Sequence, residues 1–288
     1  MGTTLVLLAA GKGSRFGGLK QLHTFQPQDA TLAEFAIWDA CKAGFDNFIA
    51  IVNEETRTYF EHVLDKMGLS KCSKCIPQTT VTIPLRTKPW GTGHALLSVA
   101  SAIKTPFVVV NGDDFYGQEA FKLAAQFLNE NKHDFALVGY HLKDTLSRNG
   151  YVSRGLCSVQ NGRVTGIEEH THIEMMPNNT IVSKNNFEKK LDPHTFVSMN
   201  FWILQPSLLN HLENLWTDFF KHLRDPLKDE FFLPEAICTV AAHQNIPIHL
   251  LPNSTGHWLG ITYAADVEEV QKSLLKQTQM GLYPASGL

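Results

Sequence analysis

Short apolar runs that do not alternate with polar residues recur through the first half of the chain. These runs cover residues 3–10, 45–52, 106–111 and 135–140. A strand without alternation is buried on both faces, as in a parallel sheet that helices cover on either side. Helical patterns lie between the runs, at residues 32–43, 55–67, 94–103 and 118–129. This order predicts an α/β fold: a Rossmann-like open sheet, mixed but mostly parallel, that is covered by helices.

The sequence changes in character near Asn149. The turn signals Asn149-Gly150 and Asn161-Gly162 enclose a strand pattern, and residues 175–192 are polar and predict a loop. Further strands are predicted at residues 156–160, 164–169, 196–204 and 246–251. Helices are predicted at residues 207–223 and 230–243, and a last helix begins near Asp266. We find no internal repeat and no clear linker, so we expect a single domain over residues 1–288.

Composition and charge exclude several classes of protein. The net charge of −3 provides no basic field for a nucleic acid backbone, so no nucleic acid partner is expected. The apolar runs are far shorter than the ~20 residues that span a bilayer, and no basic region precedes Leu5. We therefore expect a cytoplasmic protein without a membrane partner, whereas the sequence leaves open whether it forms a homo-oligomer. The five cysteines suit reduced thiols, and Cys72 and Cys75 are interpreted as loop residues because zinc would need two further ligands.

The segment after the first predicted strand combines glycines with cations. Gly11, Gly13, Gly17 and Gly18 alternate with Lys12, Arg15 and Lys20. Glycines let backbone N–H groups approach a ligand, and the cations supply charge that a neutral ligand would not need. The segment therefore predicts a site for a triphosphate.

Two other glycine-rich motifs do not fit this segment. A dinucleotide-binding fold needs a third glycine where Phe16 stands. A P-loop needs Lys-Ser/Thr directly after its second glycine, but Leu19 and Lys20 follow Gly18.

A carboxylate follows the predicted strand at residues 106–111. Asp113 would lie at the carboxyl end of a central strand, where open α/β sheets bind their ligands. Because Mg²⁺ prefers one or two carboxylates together with phosphate oxygens, Asp113 is the expected metal ligand. Asp114 is the better candidate for capping the helix that follows.

The block Leu-Ala-Ala-Gly-x-Gly-x-Arg, followed by a lysine, resembles the signature of the nucleotide-sugar pyrophosphorylases, which are sugar-1-phosphate nucleotidyltransferases. The resemblance implies that the backbone of Leu8, Ala9, Ala10, Gly11 and Gly13 binds the nucleotide. It also implies that Arg15 and Lys20 hold the phosphates and that Asp113 binds Mg²⁺. Residues 1–145 would then form the nucleotide-binding half and residues 146–288 the acceptor-binding half.

Later blocks resemble the family in the same order. Lys88 to Leu96 is similar to the block that borders the base in uridylyltransferases, which implies that Gly91 and Thr92 lie near the base. Arg86 stands where relatives often have a base-reading glutamine. The similarity of the Lys88 to Leu96 block to uridylyltransferases makes UTP the first expectation, ahead of CTP and dTTP.

The acceptor and the second metal ligand are also addressed by the resemblance. It implies that Gly155, Glu169 and Asn200 bind the acceptor. The block Trp258 to Thr262 matches a motif that often carries a second metal aspartate, but Gly260 stands at that position. Asp266 could replace the aspartate, or it could support the start of the last helix.

The expected reaction joins a nucleoside triphosphate to a sugar 1-phosphate with Mg²⁺ and releases pyrophosphate. Two alternatives remain open: a cytidylyltransferase for phosphocholine or a similar alcohol phosphate, and a non-catalytic nucleotide-binding regulator.

Overall fold

The computed structural model describes residues 2–11, 20–131, 133–184, 188–253 and 258–288. In the first half, strands alternate with helices in the order β1 (Thr4–Leu8), α1 (Leu32–Lys42), β2 (Asn47–Val52), α2 (Glu54–Lys66), β3 (Ser73–Pro77), α3 (Thr92–Leu97), β4 (Phe107–Asn111), β5 (Asp114–Phe115), α4 (Gln118–Glu130) and β6 (Phe135–His141).

The second half begins with a series of antiparallel strands and ends with helices. Its elements are β7 (Val152–Gln160), β8 (Arg163–Met175), β9 (Ile181–Ser183), β10 (Lys189–Leu191), β11 (Phe196–Leu204), α5 (Leu209–Lys221), α6 (Leu233–Gln244), β12 (Ile248–Pro252), β13 (Leu259–Gly260) and α7 (Asp266–Gln279). Within the described residues, none of the helices has both the length and the apolar character needed to cross a membrane.

Eleven of the described strands form one sheet in the order β10-β9-β8-β12-β6-β11-β4-β1-β2-β3, and β7 pairs with both β11 and β8. Strands β4, β1, β2 and β3 are parallel, as are β12 and β6. Strand β11 is antiparallel to both β4 and β6. Strands β5 and β13 form a separate two-stranded sheet.

The fold class is confirmed as mixed α/β, whereas a mostly parallel sheet is not confirmed. The difference comes from the second half, where tight turns reverse the chain. Asn161 and Gly162, between β7 and β8, both have positive φ angles (51° and 73°), which is the geometry of a type I′ hairpin turn. Antiparallel pairs therefore begin beyond β4, on one side of the parallel strands of the first half.

Several predicted boundaries differ from the structure. The helix expected at residues 94–103 ends at Leu97, and a short 3-10 turn follows at Ala100–Ala102. The loop expected at residues 175–192 contains β9 and β10. Cys75, expected in a loop, lies on β3, which pairs with β2 and is only partly buried. A short, half-exposed strand carries little periodic signal, which explains why the sequence does not reveal it.

Two apolar clusters cover opposite faces of the sheet. Leu5 and Leu7 of β1 belong to the cluster that includes α1 and α4, whereas Val6 and Leu8 belong to the cluster that includes α3, α5 and α6. Successive side chains of a strand point to opposite faces, so every residue of β1 is buried. This double coverage explains the non-alternating apolar runs. The carboxyl ends of β1 and β4 lie side by side, because these parallel strands pair in register through Leu8 and Asn111.

Candidate active site

The chain that follows β1 is fixed by its neighbours on both sides. The carbonyl of Leu8 accepts a hydrogen bond from the N–H of Gly112 (2.9 Å), and that of Ala9 accepts one from Thr56 Oγ1 (3.1 Å). The carbonyl of Ala10 accepts a hydrogen bond from Asn53 Nδ2 (3.1 Å). Asn53 also caps α2, because its Oδ1 accepts a hydrogen bond from the N–H of Thr56 (2.9 Å). The segment at which the sequence predicts nucleotide binding is therefore held rigidly between β4 and the start of α2.

Two of the predicted nucleotide-binding residues, Gly13 and Arg15, lie outside the described residues. Gly11 is exposed just before them, and Lys20 opens a short 3-10 turn just after them. The structure therefore shows the two ends of the glycine-rich segment.

Lys20 and Asp113 form an ion pair at the edge of the sheet. Lys20 Nζ lies 2.9 Å from Asp113 Oδ2, and a quarter of the Asp113 side chain is exposed (25%). Burial would lower the pKa of the Lys20 ammonium, but the charges of Asp113 and Asp114 outweigh burial and raise this pKa above its ordinary value. Lys20 is therefore charged at neutral pH and lies beside the carboxylate that the sequence predicts as the metal ligand.

Asp114 differs from Asp113 in its environment. It is buried in β5, where its Oδ2 accepts a hydrogen bond from Asn111 Nδ2 (2.8 Å). Burial and, to a smaller extent, the neighbouring charge of Asp113 raise the pKa of the Asp114 carboxyl to about 6, against the opposing effect of Lys20. Asp114 therefore has a supporting position within the site. This result differs from the helix-capping role expected from the sequence, since Gly117 precedes α4 and no side-chain cap is formed there.

A pair of asparagines links the two halves of the sheet. Asn200 Nδ2 donates a hydrogen bond to Asn111 Oδ1 (2.7 Å), and Asn200 Oδ1 accepts one from Trp202 Nε1 (3.1 Å). Asn200 has a φ angle of 63° and lies where the register of β11 against β6 shifts. Such bulges turn a side chain out of the regular strand pattern, and asparagine tolerates this backbone conformation better than most residues. The predicted acceptor residue is thus joined to the end of β4, the strand that Asp113 follows.

Gly155 and Glu169 face each other across the β7–β8 pair. Gly155 pairs with Glu169 on one side and with Ser198 on the other. A Cβ atom on Gly155 would lie 2.8 Å from Ile167 Cγ2 and 3.5 Å from Glu169 Oε2. Burial raises the pKa of the Glu169 carboxyl, and the nearby Arg154 guanidinium lowers it in part. The structure therefore brings the predicted acceptor residues Gly155 and Glu169 together, one strand away from Asn200.

A cleft of about 300 Å³ lies beside the chain that follows β1. Its walls come from Ala10, Asn53 and the segments 78–82 and 86–90. The sequence pattern does not predict a role for Asn53 or for segment 78–82. Their position after the parallel strands β2 and β3 is the signal that could have identified them, because ligands of α/β sheets bind at the carboxyl ends of such strands.

Arg86 lines this cleft, but its guanidinium N–H groups donate hydrogen bonds to backbone carbonyls. Its guanidinium donates hydrogen bonds to the carbonyls of Lys88 (2.9 Å), Pro226 (2.7 Å), Pro89 (2.8 Å) and Asp229 (2.8 Å). Its Cζ atom lies 3.6 Å from the centre of the Trp90 ring. Arg86 therefore joins the wall of the cleft to the segment before α6, a role that differs from that of a base-reading glutamine.

Gly91 and Thr92 contact the start of α6. A Cβ atom on Gly91, whose φ angle is 94°, would lie 2.7 Å from the carbonyl oxygen of Phe231. Thr92 Oγ1 accepts a hydrogen bond from the N–H of Leu233 (3.0 Å). Within the described residues, these two positions serve packing behind Trp90, which itself lines the cleft.

Asp266 begins α7 and uses both carboxylate oxygens there. Oδ2 accepts hydrogen bonds from the N–H groups of Thr262 (2.8 Å) and Tyr263 (2.7 Å). Oδ1 accepts hydrogen bonds from Ser147 (2.7 Å) and Asn149 (2.8 Å). Burial would raise its pKa, but these hydrogen bonds outweigh burial and lower it. The geometry favours the supporting role over the metal-binding one.

Arg154 is a member of the site that the sequence does not reveal. It precedes Gly155 on β7, is 8% exposed, and lies with its Cζ atom 4.9 Å from the centre of the Trp258 ring. Its charge acts on Asp114, Glu169 and Asp266. Arginine is rarely buried, so its position on β7 gives no sequence signal for this role.

The carboxylates offer an incomplete set of ligands for Mg²⁺. Among the described residues, there is no group of three or more His, Cys, Asp or Glu side chains that could hold a metal ion. Asp113 provides a partly exposed carboxylate at the sheet edge. Because Mg²⁺ is often bound by one or two carboxylates together with substrate phosphates, the site fits Mg²⁺ that a nucleotide helps to hold.

Three solved structures share this fold. The inositol-1-phosphate CTP transferase from T. maritima has a TM-score of 0.68 at 16% identity, with 98% of each chain covered. A UDP-glucose pyrophosphorylase complexed with UDP-glucose has a TM-score of 0.61 at 18% identity, covering 96% of this chain and 100% of the other. A putative glucose-1-phosphate thymidylyltransferase from Bacillus anthracis, in complex with a sucrose, has a TM-score of 0.63 at 12% identity, with 94% of each chain covered.

The sequence comparisons give a family but no individual relative. None of the curated proteins matches the chain. The profile of the nucleotidyl transferase family matches residues 4–221, which include β1, the Lys20–Asp113 pair and the acceptor strands. The chain therefore belongs to the nucleotidyl transferase family.

Proposed function

We propose that this protein joins a nucleoside triphosphate to a sugar 1-phosphate, with UTP as the favoured nucleotide, and releases pyrophosphate. An oxygen of the acceptor phosphate attacks the α-phosphorus, a new P–O bond forms, and the bond between the α-phosphorus and the bridging oxygen breaks. The products are a nucleoside diphosphate sugar and pyrophosphate. The phosphate nucleophile is already ionised at neutral pH, so the reaction needs positioning and charge neutralisation more than a strong base.

The hydrogen bond between Asn200 and Asn111 is the observation that carries this proposal. It joins β11, which pairs with the Gly155 strand, to β4, which ends beside Asp113 and Lys20. A transferase needs its two substrates at one edge of the sheet, and this contact supports such an arrangement because it joins a residue expected to bind the acceptor to the strand that Asp113 follows. A protein that only sensed a nucleotide would not need the acceptor-binding residues.

Each residue has a distinct role in the proposed reaction. Lys20 neutralises the phosphates during transfer, and Arg15, outside the described residues, stabilises the departing pyrophosphate. The cleft beside Ala10 and Trp90 accommodates the base, and Asn53 keeps its wall in place. Glu169 accepts hydrogen bonds from acceptor hydroxyls, while the N–H of Gly155 donates one to the acceptor.

Mg²⁺ would be held by Asp113 together with phosphate oxygens. When bound, the ion would supply charge neutralisation and would orient the triphosphate for in-line attack. Asp114 supports this edge from behind through its hydrogen bond with Asn111.

Release of pyrophosphate from matched pairs of substrates tests the proposal. UTP, CTP, dTTP and ATP are each combined with glucose 1-phosphate, inositol 1-phosphate and phosphocholine. We expect the highest kcat/KM for UTP with a sugar 1-phosphate. Preference for CTP with inositol phosphate or phosphocholine would replace this choice of substrates but keep the reaction.

Two variants provide the control for that assay. Asp113→Asn should lower turnover by at least about 100-fold because it removes the expected metal ligand. Asp218→Asn, at an exposed residue that forms an ion pair with Lys221, should leave turnover unchanged. Nucleotide binding without pyrophosphate release from any pair would contradict the proposal and favour a regulatory nucleotide-binding protein.

A further inference from the structure

The position of Gly260 is closed to any side chain. Gly260 on β13 pairs with Asp114 on β5. A Cβ atom at Gly260 would lie 2.4 Å from both Cζ2 and Cη2 of Trp258, and 3.1 Å from Asp114 Oδ1. A real Cβ would therefore collide with the indole. The family resemblance implies a second metal-binding aspartate at this position, and here the Trp258 ring fills the space of its side chain.

Arg154 packs against this indole. Its Cζ atom lies 4.9 Å from the centre of the Trp258 ring, and both residues are 8% exposed. The guanidinium donates hydrogen bonds to the carbonyls of Thr145 and Ser153. Trp258 and Arg154 thus form one packed unit, which we call the Arg–Trp pair.

The Arg–Trp pair places a positive charge beside position 260, where the family resemblance implies the negative charge of an aspartate. Burial lowers the pKa of Arg154, and the charges of Asp114, Glu169 and Asp266 oppose burial in part, so that the resulting pKa of about 10 leaves the guanidinium charged at neutral pH. A second aspartate would add a negative charge next to Asp114. The guanidinium instead offsets part of the cost of ionising the buried Asp114 carboxyl.

We infer that the Arg–Trp pair replaces the second metal-binding carboxylate. Among the described residues, Asp113 is then the carboxylate left to hold a divalent cation, and phosphate oxygens must complete its ligand set. Arg154 is a positioning residue in this scheme, because it acts through its packing on Trp258 and through its charge and does not bind the cation itself. The cation therefore binds together with the nucleotide and not before it. This inference rests on the proposed function.

Binding of Mn²⁺ to the protein without nucleotide tests the inference directly. Mn²⁺ replaces Mg²⁺ as the probe, and electron paramagnetic resonance measures how much of it remains free. We expect the wild-type chain to hold Mn²⁺ weakly without nucleotide. Stoichiometric, tight binding of Mn²⁺ by the wild-type chain without nucleotide would overturn the inference.

A second experiment asks whether a carboxylate at position 260 increases the affinity for Mn²⁺. Trp258→Ala makes room at position 260, and the double variant Trp258→Ala/Gly260→Asp adds a carboxylate in that room. Relative to Trp258→Ala, the double variant should bind Mn²⁺ about tenfold more tightly or better without nucleotide. Circular dichroism and thermal unfolding check that both are folded. A folded double variant with no gain in affinity would contradict the inference.

The charge of Arg154 is tested by a matched pair of variants. Arg154→Met removes the charge but keeps much of the packing, and should raise the affinity for Mn²⁺ several-fold because a nearby positive charge is lost. Arg154→Lys keeps the charge and should retain the wild-type affinity. Equal affinities for the two folded variants would contradict the charge effect.

The failure of the inference can be told apart from the failure of the proposed function. Pyrophosphate release together with tight Mn²⁺ binding in the absence of nucleotide would overturn the inference and leave the function intact. Absence of nucleotide binding in the presence of Mn²⁺ would contradict the function itself.

Discussion

Lys20 Nζ lies 2.9 Å from Asp113 Oδ2, so the cation after the glycine-rich segment and the carboxylate after β4 form one ion pair. The two residues come from distant parts of the chain and meet because β1 and β4 are parallel neighbours. We expect a metal–nucleotide complex to separate this pair, with phosphate oxygens facing Lys20 and the metal facing Asp113. The ion pair thus keeps both charges in place before substrate binds.

Lys20→Gln tests this role. The variant removes the charge that neutralises the phosphates, so kcat/KM for the nucleoside triphosphate should fall by at least about 100-fold. Steady-state pyrophosphate release measures the effect. Lys71→Gln, at an exposed residue, is the control and should behave like the wild type. Equal losses in both variants would show that the effect is not specific to the site.

Asn200 provides a test that separates the side chain from the backbone. Asn200→Ala loses the hydrogen bond to Asn111 and also strains a φ angle of 63°, whereas Asn200→Gly loses the hydrogen bond without strain. Both should raise the KM for the acceptor about tenfold or more, and the alanine variant should also unfold at a lower temperature. Acceptor titration and thermal unfolding measure the two effects. A normal KM in the glycine variant would mean that the amide has no role in acceptor binding.

Gly155→Ala probes the acceptor site from the opposite strand. The added Cβ would lie 2.8 Å from Ile167 Cγ2 and 3.5 Å from Glu169 Oε2, so it should displace the side chains that border the acceptor. We expect a higher KM for the acceptor and little change in the KM for the nucleotide. Gly166→Ala is a matched control, because its nearest neighbour would lie 4.0 Å away. A rise in the nucleotide KM of the same size would contradict the assignment of Gly155 to the acceptor side.

The sequence predicts those parts of the fold that have a strong periodic signal. The buried runs at residues 3–10 and 106–111 become β1 and β4, and their ends define the edge where Lys20 meets Asp113. The half-exposed β3 and the short strands β9 and β10 escape prediction because few of their residues alternate in a regular way. The antiparallel placement of β11 depends on contacts between distant segments, which local patterns do not encode.

Side-chain partners are the least predictable part of the site. Asn111 gains its role through a hydrogen bond with Asn200, about 90 positions away in the sequence. Arg154 gains its role through its charge interaction with Asp114, about 40 positions away. Arg86 is identified from sequence as a position of interest, yet its carbonyl partners at Pro226 and Asp229 follow from tertiary structure. Sequence therefore indicates where the chemistry lies, and the structure shows which groups are already engaged.

Arg86→Gln distinguishes a structural role from base recognition. The variant loses the guanidinium bonds that join the cleft wall to the segment before α6, so the chain should be less stable and kcat/KM should fall for every nucleotide. The order of preference among UTP, CTP and dTTP should stay as in the wild type. Kinetics with the three nucleotides measure this order. A changed order would mean that Arg86 itself selects the base.

The buried carboxyl of Asp39 should make the stability of the fold depend on pH. It is 1% exposed on α1, and its Oδ2 accepts a hydrogen bond from Tyr283 (2.9 Å). Burial raises the pKa of Asp39 to about 8, whereas an unfolded chain has an ordinary carboxyl near 3.8. Between about pH 4 and pH 8 the folded chain therefore binds one proton more than the unfolded chain. The contribution of Asp39 to stability is fully present below about pH 4 and is lost as the pH rises through about 8.

The variant Asp39→Asn tests this pH dependence, because it keeps an acceptor for Tyr283 but does not titrate. From about pH 4 to pH 8, the wild type should lose several kcal/mol of unfolding free energy relative to this variant. Urea unfolding at a series of pH values measures the difference, and parallel curves for the two proteins would contradict the raised pKa.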